Sequence, residues 1–277
     1  MKTQIDRALV LLLVVMISNI LTGQELGLQL YSLRNQFKTD IPGTLKIISD
    51  NGITKVEGGD SYGMPQDEFK NLLKENDIDV VSVGASFEDL KKNPEKIIEN
   101  AKSYGATYAV CFWIPHTDTI FTINEAEMAI KTFNASGKKL KAEGINLVYH
   151  PHGFEFRPYQ GATLMDYIIK KAEYFNFEMD VYWFAHPGEN PLEWLRRYPE
   201  KFKLMHLKDC QKGYKGNQNG RTDVETNVNL GTGQIDIAGI VLEAKKIGVE
   251  YLFIEDESSR SVKQIPESYE YIKSLLE

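Results

Sequence analysis

The sequence predicts a single (β/α)8 TIM barrel of the α/β class, on three observations. Short β-rich runs alternate with amphipathic helical stretches eight times, and such a series closes into a parallel barrel more readily than it spreads into an open sheet. No G-x-G-x-x-G follows any of the runs, so the fingerprint of an open dinucleotide-binding sheet is missing. Once an N-terminal segment is set aside, about 250 residues remain, long for an ordinary domain but typical of this barrel.

The expected strands cover residues 26–31, 53–57, 78–84, 107–113, 145–150, 177–182, 202–208 and 250–255. Between them the apolar residues recur every three or four positions. The final stretch shows the stripe clearly: Val262, Ile265, Tyr269, Ile272 and Leu276 fall on one helical face. Helix ends are marked by glycines such as Gly105 and Gly248, each leading straight into the next strand. Glycine there can take the left-handed conformation that stops a helix. No low-complexity linker or close internal repeat divides the chain.

The first two dozen residues stand apart from this pattern. Lys2 and Arg7 give a basic start, residues 8–17 are almost all apolar, and residues 18–23 turn small and polar. The apolar part is too short to span a bilayer, so residues 1–24 are expected to be a signal peptide cleaved near Gly23 or Gln24. The catalytic domain is then 25–277, exported and periplasmic, with no membrane attachment after cleavage. No cysteine follows the apolar run, which disfavours a lipid anchor; an uncleaved anchor is the plainer alternative.

Loss of Lys2, Asp6 and Arg7 takes the formal charge from −7 to −8. An acidic surface argues against nucleic acid as a partner. With 42% hydrophobic residues the chain can bury a large core without cross-links. Cys111 and Cys210 are the only cysteines, so no disulfide framework exists, and two buried thiols are expected.

In such barrels the chemistry sits at the C-terminal ends of the strands. Four of the five histidines, with several acids, fall at those ends. His150 and His152 are two apart on the fifth strand, so an extended backbone points them to one side. Asp180 ends the sixth strand, with Trp183 and His186 just beyond. His206 and Lys208 share a face of the seventh, and Glu255 ends the eighth. Imidazole with carboxylate is a ligand set for manganese, zinc, iron or cobalt rather than calcium. Singly, His206 could be a satisfied core histidine, Asp180 a cap and Glu255 part of a solvated acidic run. Their joint placement favours a metal site. Glu57 could contact substrate or neighbouring lysines, and His116 reads as a surface or rim residue. Residues 211–229, rich in Gly, Asn and charge, read as a flap over the mouth or a tolerated insertion.

The segments Tyr149-His150-Pro-His152-Gly-Phe-Glu155-Phe, Met179-Asp180-Val-Tyr-Trp183, His206-Leu-Lys208-Asp209, Leu230-Gly-Thr-Gly-Gln-Ile-Asp236 and Ile254-Glu255 resemble the xylose-isomerase-like sugar phosphate isomerase/epimerase family. Gly27-Leu-Gln29-Leu-Tyr31-Ser-Leu-Arg34 fits the same family. The resemblance implies one divalent metal, manganese first among the candidates, held by residues of strands five to eight. By position Asp180, His206 and Glu255 match the family's ligands, and His150 stands where the epimerases usually have glutamate, with Glu155 further along the loop.

The resemblance further implies proton abstraction beside the carbonyl of a small carbohydrate; for an elimination, His152 or Glu155 is the expected base or acid and Lys208 holds a substrate oxygen. Glu57, Trp183 and His186 are the expected substrate contacts. With His150 in place of one carboxylate, and with export, elimination from a 3-keto-glycoside is the leading reaction. A keto-sugar isomerase or epimerase and a non-catalytic sugar-binding barrel are the alternatives. Relatives commonly carry histidine near the end of strand three, where this chain has Gly84; a contact is lost there or the pocket is enlarged. Whether the protein forms a homo-oligomer is left open.

Overall fold

The computed structural model describes residues 24–277, and in it eight parallel strands close into a barrel. In chain order these are β1 Glu25–Gln29, β2 Lys55–Gly58, β3 Asp79–Gly84, β4 Tyr108–Cys111, β5 Asn146–Tyr149, β6 Asn176–Asp180, β7 Phe202–Leu207 and β8 Tyr251–Ile254. Each strand pairs with its sequence neighbours, and β1 closes the ring against β8 with Leu26 opposite Leu252. The crossover helices used below are α1 Pro94–Tyr104 after β3, α2 Ile123–Ala142 after β4 and α3 Val181–Ala185 after β6. The expected signal peptide, residues 1–24, lies outside the described residues except for Gln24. Among the described residues no helix is long and apolar enough to cross a membrane.

Two apolar layers result from the period-two alternation of the strands. Inward-facing Tyr108, Val110, Val148, Leu204 and Phe253 fill the barrel axis. Outward-facing residues such as Met179, Met205 and Leu252 pack with the helices in a larger second layer. Gly105 closes α1 at φ 72°, and Gly248 ends the helix before β8 at φ 81°, as the helix-stop pattern requires. Both cysteines are free and buried.

Strands β1, β4 and β6 each stop two residues earlier than the pattern suggests, and at β1 and β6 the reason is local. The first ends at Gln29, whose side-chain oxygen accepts from Tyr31 N at 3.0 Å and turns the chain into a 3-10 turn, Leu30–Leu33. The sixth ends at Asp180, whose Oδ1 accepts from Tyr182 N at 2.8 Å and Trp183 N at 3.1 Å and starts α3. After β7, Asp209–Cys210 pairs antiparallel with Asn227–Val228 and forms the base of the 211–229 excursion. Asp209 fixes the return path by accepting from Cys210 N, Ile235 N, Gly231 N and Gly233 N at 2.8–3.1 Å.

Candidate metal centre and its cavity

Above the apolar plug the inward alternation continues with polar residues. Val148 is followed on its face by His150, Leu204 by His206 and Lys208, Phe253 by Glu255 and Glu257, while β6 contributes both Glu178 and Asp180. All but the partly exposed Glu257 are buried, and buried ionisable groups are costly unless paired. Glu57, Glu178, Asp180, Glu255 and Glu257 supply five carboxylates, while Lys208 is the one permanent cation among them. That imbalance calls for protons or a bound cation.

The histidines are oriented by carboxylates behind them. His150 Nδ1 donates to Glu178 Oε2 at 3.0 Å, which leaves its Nε2 lone pair facing Asp180 Oδ2 at 3.7 Å. His206 Nε2 donates to Glu57 Oε1 at 2.6 Å, with Glu178 Oε2 at 3.2 Å. This leaves His206 Nδ1 facing Glu255 Oε2 at 3.4 Å. A carboxylate that takes one imidazole N–H fixes the tautomer and ring orientation of the other, ligating nitrogen. Asp180 Oδ2 and His206 Nδ1 are buried without a hydrogen-bond partner. Atoms offered by His150, Asp180 and His206 lie within 4.8 Å of one another. Two imidazole nitrogens and carboxylate oxygen fit a divalent cation of the manganese, zinc, iron or cobalt class.

Charge states agree with this geometry. Burial and the nearby His206 hold His150 well below the usual imidazole range, so it is neutral. Burial opposes a charge on His206, but the Glu178 and Glu255 carboxylates overcome it and hold the ring well above that range. Without a metal His206 therefore carries a proton that a cation would displace. Burial, reinforced by Glu57, keeps Glu178 well above the usual carboxylate range, and burial raises Asp180 to about 7. Lys208 and His206 outweigh burial at Glu255 and keep it ionised.

A cavity of about 620 Å³ opens above this cluster. His150, His152, Trp183, Glu255 and Glu257 line its chemical side. Trp113 and Tyr31, 44% and 52% exposed, stand at its rim, and apolar faces of this kind suit the C–H faces of a sugar ring. Gly220 of the 211–229 excursion also lines the cavity, so this segment does reach the mouth. It is tied down by Arg157, which donates to Thr119 O and to Gln218 O, and by the ion pair of Arg221 with Asp118 at 2.6 Å.

Of the residues named from sequence, His150, Asp180, His206 and Glu255 converge. Lys208 lies beside them, its ammonium 2.9 Å from Glu255 Oε2 and also bonded to Glu257. His152 and Trp183 line the cavity, while Glu57, Glu155 and His186 do not. Glu57 is wholly buried beneath the site between His206 and Gln29, whose Nε2 donates to it at 2.8 Å. It is placed to hold a ligand rather than to touch substrate. Glu155 turns away, accepting from Tyr149 Oη and, at 3.2 Å, from His152 N. It therefore shapes the loop that carries His152. His186 packs against Tyr182, Trp183 and Tyr214. His116 stands behind Trp113, its ring stacked at 4.6 Å. Gln29, Glu178 and Glu257 were not singled out by sequence. Glu178 lies two residues before Asp180 on one strand, and that spacing was the available signal.

Residues 45–275 match the model of a family described as xylose isomerase-like TIM barrel. Among solved structures, a sugar phosphate isomerase/epimerase from Parabacteroides distasonis ATCC 8503 superposes with TM-score 0.74 at 23% identity, covering 90% of this chain and 97% of that one. The IOLI protein with a binding zinc atom gives 0.70 at 14% identity, covering 91% and 96%. A probable 3-DHS dehydratase, AsbF, from Bacillus anthracis gives 0.69 at 12%, covering 90% and 99%. At these identities the likeness is one of fold. No curated protein sequence matches the chain.

Proposed function

The chain belongs to the xylose isomerase-like TIM barrel family, and on that premise we propose that it is a metal-dependent enzyme that removes a proton from a carbon beside a carbonyl of a carbohydrate. One observation carries this reading. Two buried imidazoles, each fixed by a carboxylate behind it, aim free nitrogens at the space shared with Asp180 Oδ2 and Glu255, at the floor of a cavity. His150, Asp180, His206 and Glu255 are the proposed ligands. When bound, a divalent metal, manganese first and zinc, iron or cobalt next, would supply a Lewis acid for the carbonyl oxygen.

His152 is the base best placed on the cavity wall. Burial pushes its ring down to about 3, so it rests neutral, and negative charge developing on the substrate beside it would have to raise its proton affinity for it to act as base. Its Nδ1 has no protein partner. Lys208 is held in its ammonium form by Glu255 and Glu257 against the effect of burial, and serves as a hydrogen-bond donor to a substrate oxygen.

The reaction proposed is elimination from a 3-keto-glycoside. His152 takes the proton from C2, and its electron pair forms the C1–C2 double bond. The bond from C1 to the aglycone oxygen breaks with its electrons on oxygen, which takes up the proton from the imidazolium. Atoms and charge balance without an added oxidant or water. The N-terminal pattern of residues 1–24 supports a periplasmic setting, where free glycosides are more plentiful than phosphorylated sugars.

Metal analysis of the purified protein beside His206→Ala tests the centre. About one manganese-, zinc- or iron-class ion per chain, lost in the variant, is expected; no ion even after reconstitution would remove the mechanism. Incubation with a 3-keto-glycoside in deuterated solvent then separates reactions. Aglycone release indicates elimination, whereas deuterium uptake with an intact glycoside indicates isomerisation or epimerisation.

A further inference from the structure

The cavity does not end at the metal cluster. It continues to the opposite side of the mouth, past Gly58 and Gly59 at the end of β2 and Gly84 at the end of β3, to Asp60, Tyr62 and Asn100. Asn100 belongs to α1, outside the ring of strands, so the cavity leaves the barrel axis between the β2 and β3 loops. In the eight-strand ring β2 and β3 stand opposite β6 and β7, the strands of Asp180 and His206.

Packing explains two of the three glycines in this wall. A Cβ on Gly58 would come within 2.8 Å of Leu30 Cδ1, and Gly59 has φ 91° with Val83 Cγ1 3.0 Å from a would-be Cβ. Gly84 differs. It lies outside the left-handed region, and a Cβ there would meet only Phe112 Cε2, at 3.9 Å. Neither backbone nor neighbours require glycine at that position, yet a larger residue would project into the cavity. The lobe also has a fixed polar edge: Asp60 Oδ1 accepts from Tyr62 N at 2.9 Å in a tight turn, and Asn100 Oδ1 is held by Gln66 Nε2 at 3.0 Å.

Size and charge narrow the occupant. At the roughly 30 Å³ that one molecule takes in liquid water, 620 Å³ matches on the order of twenty waters, while a hexose has about a dozen non-hydrogen atoms. No lysine or arginine is among the residues lining the cavity, whereas Asp60, Glu255 and Glu257 are. In the lobe at Asp60 and Asn100, across the mouth from Lys208 and the proposed metal ligands, a phosphate, which carries between one and two negative charges near neutrality, would face Asp60 with no lysine or arginine among the lining residues.

Resting on the carbohydrate reading above, we infer that this cavity takes a neutral, two-part glycoside. The reacting ring sits at the metal cluster and its substituent, a second sugar or comparable polyol, lies over Gly84 toward Asn100. Gly84 is the specificity-determining position, and a phosphorylated substituent is excluded from the lobe.

Calorimetric binding to the metal-loaded protein tests this with methyl glucoside, cellobiose and glucose 6-phosphate, on wild type, Gly84→Leu and Asn100→Leu. Wild type is expected to bind cellobiose at least about tenfold more tightly than methyl glucoside, with glucose 6-phosphate weakest. Gly84→Leu should remove the disaccharide preference, and Asn100→Leu should reduce it. Circular dichroism checks that both variants fold; if Gly84→Leu does not, Gly84→Val and Asn100→Leu carry the test. Equal binding of cellobiose and methyl glucoside by wild type, an unchanged preference in the folded variants, or tightest binding of glucose 6-phosphate would overturn the inference while leaving the carbohydrate reading standing. Binding of none of the three sugars, nor of a 3-keto-glycoside, would remove both.

Discussion

The two halves of the barrel mouth are built on different principles. From β5 to β8 the strand ends present His150, Glu178, Asp180, His206, Lys208 and Glu255, all buried and tied to one another. From β2 to β4, Glu57 joins that network from beneath His206, while Gly58, Gly84 and Phe112 line the cavity without charge. The first half fixes a charge arrangement and the second fixes a shape. Reaction type and substrate choice should therefore be separable by mutation.

The largest expected effect lies in the charged half. His206→Ala should lose the bound metal and lower turnover by at least about a hundredfold, read by metal analysis and initial rates. Retention of metal and rate would break the division at its root.

Next comes Glu155, in the loop after β5. Burial raises its carboxyl to about 7, so the folded chain holds a proton that the unfolded chain releases near the ordinary value. Its contribution to stability is fully present below the unfolded value and is lost as pH rises through 7. The loss is on the order of 3 kcal/mol at most. Thermal melting of metal-free protein between about pH 4 and 8 should show the decline, and Glu155→Gln should make it shallower, with Asp180 and Glu178 supplying the remainder. The same slope in the variant would place the titration elsewhere.

The carboxylates behind the imidazoles come third. Glu57→Gln should weaken metal affinity about 10- to 100-fold in a chelator-competition titration, with little change in sugar preference. A changed preference with intact metal binding would return Glu57 to the role of substrate contact.

The smallest effect belongs to the shaping half. Gly84→Ala should stabilise the fold by about 0.5–1 kcal/mol, since glycine in a strand is costly and nothing opposes a Cβ here. Chemical denaturation measures this, and destabilisation would show a packing role for the glycine.

The eight-strand barrel was legible because every strand and helix repeats the same local pattern, and the glycine stops at Gly105 and Gly248 bound the units. The convergence of His150, Asp180, His206 and Glu255 was legible because a barrel confines chemistry to strand ends, and few residue types there can serve as ligands. What lay behind those residues was harder to see. Glu178 sits in Phe177-Glu-Met-Asp180, where attention to the last acid hides the one before it. Glu57 on β2 reaches His206 and is itself held by Gln29 on β1, a relation set by barrel closure and by no short-range spacing. Glu155 and His186 are near the site in sequence, but the turns at Gly153 and α3 carry their side chains away from the cavity.

Asp180 joins two systems through one carboxyl group: Oδ1 starts α3 by receiving the Tyr182 and Trp183 amides, and Oδ2 faces His150 Nε2 at 3.7 Å in the candidate centre. Electron density drawn toward a cation at one oxygen is withdrawn from the hydrogen bonds at the other. Those two amide protons are thus built-in spectroscopic reporters. Their chemical shifts and exchange rates should respond to ion occupancy, so the state of the centre can be followed in solution without a substrate, a dye or a mutation.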